Sequence, residues 1–410
     1  MLNRIWLGFF LLAFAAAFWQ WFSGNNPDVF SDLIAATFEM SALAVEIAIG
    51  LIGVMALWLG LFKIAEQSGL ATLLSRGLSP LFARLMPEVP RNHPALGSVT
   101  MNMAANMLGL DNAATPMGLK AMGSLQELNP QKDTASNAQI LFLVLNSSSV
   151  TLLPVTVFLF RAQQGAAEPA AVFLPILLAT SASTLVGLLS VAWMQKLQIL
   201  DRVVLAYFAG FVLLMTSLLF WVAGQEPELL ANKSATAGNL LLFTVIILFL
   251  VSGIQQKLEC YEVFVEGAKE GFEVAVRLIP FLLAMLVAVG VFRASGCLDL
   301  ILSMIRNLVD FMNIDSGFVD ALPTAFMKPL SGSGARAMML ETMDSHGVDS
   351  FAALTAASIQ GSTETTFYVL AVYFGSVGIR KTRHAIGCAL LADLTGIVVA
   401  ILASYMFFAA

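Results

Sequence analysis

Residues Ser358-Ile359-Gln360-Gly361-Ser362-Thr363-Glu364-Thr365-Thr366 interrupt a run, 352–377, that is otherwise apolar enough to cross a bilayer. A charged side chain near the bilayer centre costs at least about 2.5–3.5 kcal/mol on insertion scales. Backbone released from a helix at that depth is tolerated only where protein buries it or where it lines a wet cavity. The stretch therefore either borders a path through the membrane or ties helices together. A weaker copy, Asn146-Ser147-Ser148-Ser149-Val150-Thr151 followed by Pro154, interrupts the run 140–160. The rest of the chain reads as a frame that holds these two broken helices against each other.

The bilayer itself is read from composition. Of 410 residues, 58% are hydrophobic and 12% are charged, against about 25% charged in soluble domains. Apolar runs of about 20 residues recur. Crossing helices are expected at 4–22, 41–63, 136–160, 170–194, 203–223, 236–256, 275–296, 350–374 and 384–409. The first run ends in Phe18-Trp19-Gln20-Trp21-Phe22 rather than in small residues, so it reads as a retained helix, not a cleaved signal. Cys260, Cys297 and Cys388 lie far apart with no CxxC, which supports neither a disulfide framework nor a zinc site. His93, His346 and His384 are scattered singly. There is no GxxxxGK[ST] loop, no GxSxG elbow and no HExxH. The chain is thus expected to be no enzyme and to use no cofactor.

An internal repeat organises the frame. Glu46 matches Glu273, and Ser68-Gly69 matches Ser295-Gly296, at one offset of 227. Ala114, Met117, Leu119 and Met122 match Ala335, Met338, Leu340 and Met343 at 221. Asn146, Ser148 and Thr151 fall on Gln360, Ser362 and Thr365 at 214. Each copy carries two short apolar pieces, 94–110 with 112–128 and 319–330 with 335–343, around a polar tip. That is the pattern of a re-entrant hairpin. The fold expected is an all-α polytopic membrane protein with two inverted-topology repeats, each holding a re-entrant helical hairpin and a broken transmembrane helix, with about nine crossing helices in all. The expected divisions are a first half over 1–200, a linking transmembrane helix within 201–235 and a second half over 236–410. Lys and Arg concentrate on one set of loops, including Arg380, Lys381 and Arg383. The positive-inside rule then puts the N-terminus in the cytoplasm and the C-terminus outside it, in a multi-pass inner-membrane protein.

Glu364, with Gln360, Ser362, Thr363 and Thr365, is the leading candidate cluster. Half-helix N-termini attract anionic or polar groups, and freed carbonyls beside a carboxylate suit Na⁺ or a proton. Asn146, Ser148, Ser149 and Thr151 are neutral and fit a polar solute. Asn106 and Asn112 line the first hairpin and Ser331 and Ser333 tip the second. Arg336 could meet a carboxylate or phosphate, cap its helix, or pair with Glu341. Asp393, inside the last helix, is a partner for a basic residue or a second ion-coupling candidate beside Glu364. Hydrogen-bonding between helices is the plainer use of every one of these hydroxyls and amides.

Lys328-Pro-Leu-Ser-Gly-Ser-Gly-Ala-Arg-Ala-Met-Met339, Gln360-Gly-Ser-Thr-Glu-Thr-Thr-Phe-Tyr368 and Gly375-Ser-Val-Gly-Ile-Arg-Lys-Thr-Arg-His384 make the second half resemble the spore maturation protein B family. Asn102-Met-Ala-Ala-Asn-Met-Leu-Gly-Leu-Asp-Asn-Ala-Ala-Thr-Pro116 and Asn146-Ser-Ser-Ser-Val-Thr-Leu-Leu-Pro154 make the first half resemble spore maturation protein A. The chain resembles a natural fusion of the two, within the wider nucleoside-recognition, or Gate, domain group. That resemblance implies membrane transport, with inverted repeats and an elevator-type motion. The function expected is a secondary active transporter, coupled to Na⁺ or H⁺, of a small polar or anionic solute. The alternative is a structural or assembly membrane protein whose polar breaks lock helices together. The partners expected are a small-molecule substrate, the coupling ion and the lipid bilayer, with no nucleic acid and with room for a homo-oligomer.

Overall fold

The computed structural model describes residues 2–24, 26–108, 111–148, 151–198, 200–222 and 225–409, with the side chains at 2, 3, 5, 71, 111–113, 222, 227, 228, 274, 275, 277 and 278 left aside. Among these residues there is no strand; the fold is helical throughout. The first half runs α1 (Leu2–Ser23), α2 (Val29–Gln67), α3 (Leu70–Leu85), α4 (Pro94–Met107), α5 (Asp111–Leu128), α6 (Asn137–Ser148), α7 (Val155–Gln163) and α8 (Phe173–Gln195). A linking helix, α9 (Arg202–Val222), follows. The second half runs α10 (Pro227–Gln255), α11 (Cys260–Ala294), α12 (Cys297–Phe311), α13 (Leu322–Met327), α14 (Gly332–His346), α15 (Phe351–Ser362), α16 (Thr366–Ser376) and α17 (Ala385–Phe408).

Among the described residues six helices are long and apolar enough to cross a membrane, and seven if the bent pair α11–α12 counts as one span. The two other crossings expected from the sequence, 136–160 and 350–374, are each split into two short helices. Local chemistry sets these breaks. Pro154 lacks an N–H and disfavours a helical residue before it, and α7 starts only after it. Thr363 and Thr365 are extended (φ −148°, ψ 175° and φ −81°, ψ 101°), a backbone that β-branched residues favour. Gly69 and Gly296, both at φ +74°, end α2 and α11 in the left-handed region that glycine adopts freely. After Gly296 the path turns by 69°.

Three helices start earlier than expected. α2 starts at Val29 rather than 41, α10 at Pro227 rather than 236, and α11 at Cys260 rather than 275. At 39 residues and 1.5 Å rise, α2 is about 58 Å long, well beyond the ~30 Å hydrocarbon core. Its surplus length is held by its antiparallel neighbour. A Cβ on Gly271 would lie 2.5 Å from the Ala56 Cα, and one on Gly267 2.5 Å from the Leu59 carbonyl oxygen. The backbones of α2 and α11 therefore touch, as small residues allow in membrane helices. Beyond the apolar zone, Lys63 and Glu270 close the pair at 2.9 Å. α8 and α17 also pack antiparallel through small residues, Gly187 against the Ala392 side chain and Gly396 against that of Ser183. By contrast α1 and α9 leave most of their apolar surface exposed, as lipid-facing helices do.

Candidate functional site

α6–α7 and α15–α16 lie side by side in opposite directions, and each end of the pair is tied. At one end Arg161, fully buried, donates to Asp349 (2.8 Å) and to the carbonyls of Val348, Glu168 and Pro169. At the other end the backbone N–H groups of Arg380 and Lys381 donate to the Asp133 carbonyl, each at 2.9 Å. Lys381 also pairs with the Asp133 carboxylate at 3.1 Å, and Arg383 donates to the Ala135 carbonyl at 3.0 Å.

The two breaks meet midway between these ties. The Glu364 N–H donates to the Ser147 carbonyl at 2.8 Å. The hydroxyls of Ser147 and Thr366 touch in a very short contact. Thr366 in turn donates to the Asp393 carboxylate at 2.7 Å. α8 and α17 seat directly on the joint: a Cβ on Gly361 would lie 2.6 Å from Ile176, and one on Gly396 2.7 Å from Thr363. Any larger residue at either position would hold the flanking helix off its break.

Beside the joint lies a cavity of about 500 Å³, bordered by both breaks and both hairpins. It brings together Asn106, Asn146, Thr151, Arg336, Gln360, Thr363, Glu364 and Thr365 from the sequence-derived set. Asn106 donates to the Asn146 side-chain oxygen at 2.9 Å, and Asn146 donates to the Phe142 carbonyl at 2.8 Å, which holds its amide in one orientation. Arg336 stands 5.2 Å from the Phe160 ring centre, in cation–π range. The Glu364 side chain is exposed to the cavity.

Other members of that set do not line the cavity. Ser148 and Ser362 donate back to Leu145 and Ile359 in their own helices. Ser331 caps α14 by accepting from the Gly334 N–H at 3.1 Å and lies 3.2 Å from Ser333. The Ser-Gly-Ser-Gly stretch is thus a helix cap and first turn rather than a loose tip. Glu341, weighed as a partner for Arg336, pairs with Arg293 instead. Asp393 sits behind the joint, buried. Ser149 and the Asn112 side chain lie outside the described residues.

Sequence reasoning passed over Lys328 and Tyr373, which line the cavity with Tyr368, and Thr366 at the joint. Lys328, buried, donates to the Gln360 carbonyl at 2.6 Å and so binds the second hairpin to the second break. A lone lysine ending the apolar piece 319–330 was the available signal. Tyr373 lies 3.4 Å from both Asn102 and Asn146. Among the described residues no group of three His, Cys, Asp or Glu side chains is placed to hold a metal ion.

The nucleoside-recognition family, Gate, matches residues 48–163 and 275–380, one segment in each half and together more than half the chain. Spore maturation protein A of Bacillus subtilis (strain 168) is 38% identical over 180 residues, which are 44% of this chain and 88% of that protein. Spore maturation protein B of the same organism is 44% identical over 153 residues, 37% of this chain and 84% of that protein. No solved structure matches. Two separate relatives, each covered over most of its length, thus share out one chain, as a fusion of an A-like and a B-like half would have them do. This membrane protein belongs to the nucleoside-recognition Gate family.

Proposed function

We propose that the protein is a secondary active transporter that moves a small polar or anionic solute across the inner membrane, driven by Na⁺ or H⁺. The observation that carries this reading is the cavity at the meeting of the two breaks. Its wall mixes Glu364 with amides, hydroxyls and the cations Lys328 and Arg336. Such a lining has no use facing lipid and can replace the hydration shell of a small solute. The opposed directions of the two broken helices fit inverted repeats, with the N-terminus cytoplasmic and the C-terminus outside. In this reading the two hairpins close the cavity and an elevator-type displacement exchanges its openings. The matched relatives are named for spore maturation; those names designate no solute.

Glu364→Gln keeps the size of the side chain and removes its charge. The variant is expected to express normally and to lose uptake or counterflow of any nucleoside, dicarboxylate or amino acid that the native protein moves in proteoliposomes. Native rates in that variant would end the assignment of Glu364.

The contacts Glu364 N–H to Ser147 and Ser147 to Thr366 favour a second reading, a structural protein whose breaks lock its halves. It predicts that Glu364→Gln lowers the melting temperature and that no solute in the same panel shifts it.

A further inference from the structure

We propose that Asp393 is a proton-binding site, and that a proton taken there from water in the cavity loosens the joint between the two breaks. The proton site stands on the geometry of α17; its use in coupling rests on the transport reading above.

Asp393 lies in the interior of α17, an apolar span, and is 2% exposed. Holding a bare carboxylate there costs several kcal/mol in order-of-magnitude terms, so the group persists for a reason other than packing. Its Oδ2 accepts from Thr366 at 2.7 Å, and the Thr366 hydroxyl touches that of Ser147. Ser147 in turn accepts the Glu364 N–H through its carbonyl. One line of contacts therefore links α17, the first residue of α16, the last turn of α6 and the second break.

A hydroxyl has one proton to give. With Asp393 ionised, Thr366 donates to it and Ser147 must donate to Thr366. The bond to Asp393 is then charge-assisted, roughly twice as strong as a neutral one. Protonation removes that charge and weakens the joint. Asp393 Oδ1 and Thr363 Oγ1 are both buried without a hydrogen bond among the described residues; Thr363, which acts on the ionised carboxylate as a donor, can turn its hydroxyl to accept from the protonated one.

The charged groups that act on Asp393 are Lys328 and Glu364, of opposite sign, at the cavity wall. α6, α8 and α15 contain no titratable side chain. In α10, Lys233 is engaged by Gln225, and the Glu228 side chain lies outside the described residues. In α16, Tyr373 bonds toward Asn146, and Tyr368 is exposed.

Infrared difference spectra of the whole protein in liposomes, titrated with acid, test the site directly. One component of the carbonyl band of protonated carboxylic acids is expected to be absent in Asp393→Asn, kept in Glu364→Gln and shifted in Thr366→Val. No such component, or one that Glu364→Gln removes and Asp393→Asn leaves, overturns the proposal. If Asp393→Asn fails to fold, an unshifted band in Thr366→Val does the same. For coupling, Asp393→Asn should retain exchange of a transported panel solute yet lose its accumulation under an imposed pH gradient. Unchanged accumulation, or accumulation driven by a Na⁺ gradient alone, refutes the coupling role. Absence of exchange in the native protein counts against transport itself, and the band then decides the proton site.

Discussion

Asp133 shows how single side chains set the ends of the broken pair. It lies in a loop outside the spans, where hydrogen bonds from Thr134 and then from Lys381 hold its carboxyl below the ordinary carboxylate range. A depressed value means that its contribution is complete above the unfolded-state value and is lost as pH falls through the folded one. The tie to Lys381 should therefore hold through neutral pH and slacken only below about pH 4. Hydrogen-exchange protection of the Arg380 and Lys381 amides, taken relative to the unfolded-chain rate at each pH, should fall there, and in Asp133→Asn this acid response should vanish. At the same scale, Glu364 and Asn146 stood out in the sequence because each is polar inside an apolar run, where the bilayer penalises it. Thr366 did not stand out, since it differs in no local way from Thr363 or Thr365. Its importance comes from Ser147 and Asp393, 219 and 27 residues away in sequence, and no spacing rule reaches that far. Lys328 was marked only as a lone lysine at the end of an apolar piece, and nothing in the sequence points to the Gln360 carbonyl that it meets.

Among the helices, the breaks were legible and the long pair was not. Glycine, proline and clustered threonines mark where a helix stops, and α6, α15 and α11 stop where those residues say. The reach of α2 and α11 was misjudged because apolarity ended before helicity did. Residues 260–275 carry Glu262, Glu266, Lys269, Glu270 and Glu273, which reads as a loop by hydropathy but is helix held by a neighbour. The contact that holds it is backbone on backbone at Gly271. Gly271→Ala therefore has no flexible side chain to displace. It should destabilise the protein by about 1–3 kcal/mol, the usual cost of overpacking, seen as a lowered melting temperature in detergent. Gly8→Ala, with nothing within 4 Å of the added carbon, is the matched control and should melt as the native protein does.

For the molecule as a whole, the order of elements in 29–195 recurs in 260–408: a long helix, a left-handed glycine, a tilted amphipathic helix, two short helices, a broken helix and a long one. The sequence offsets do not say which of these stretches touch, and the two most extensive helix pairings run from one stretch to the other, α2 on α11 and α8 on α17. The cavity is walled by Asn146 and Thr151 from one copy and by Gln360 and Glu364 from the other. α9, the only covalent bridge, is mostly bare. If the chain were cut just after α9 and the two pieces made together, they should find each other and restore the native melting transition, whereas either piece made alone should be lost to proteolysis. Because the Ser147 carbonyl and the Glu364 N–H meet across that bridge, a chain joined through α9 delivers both faces of the joint in equal number, whatever the level of expression.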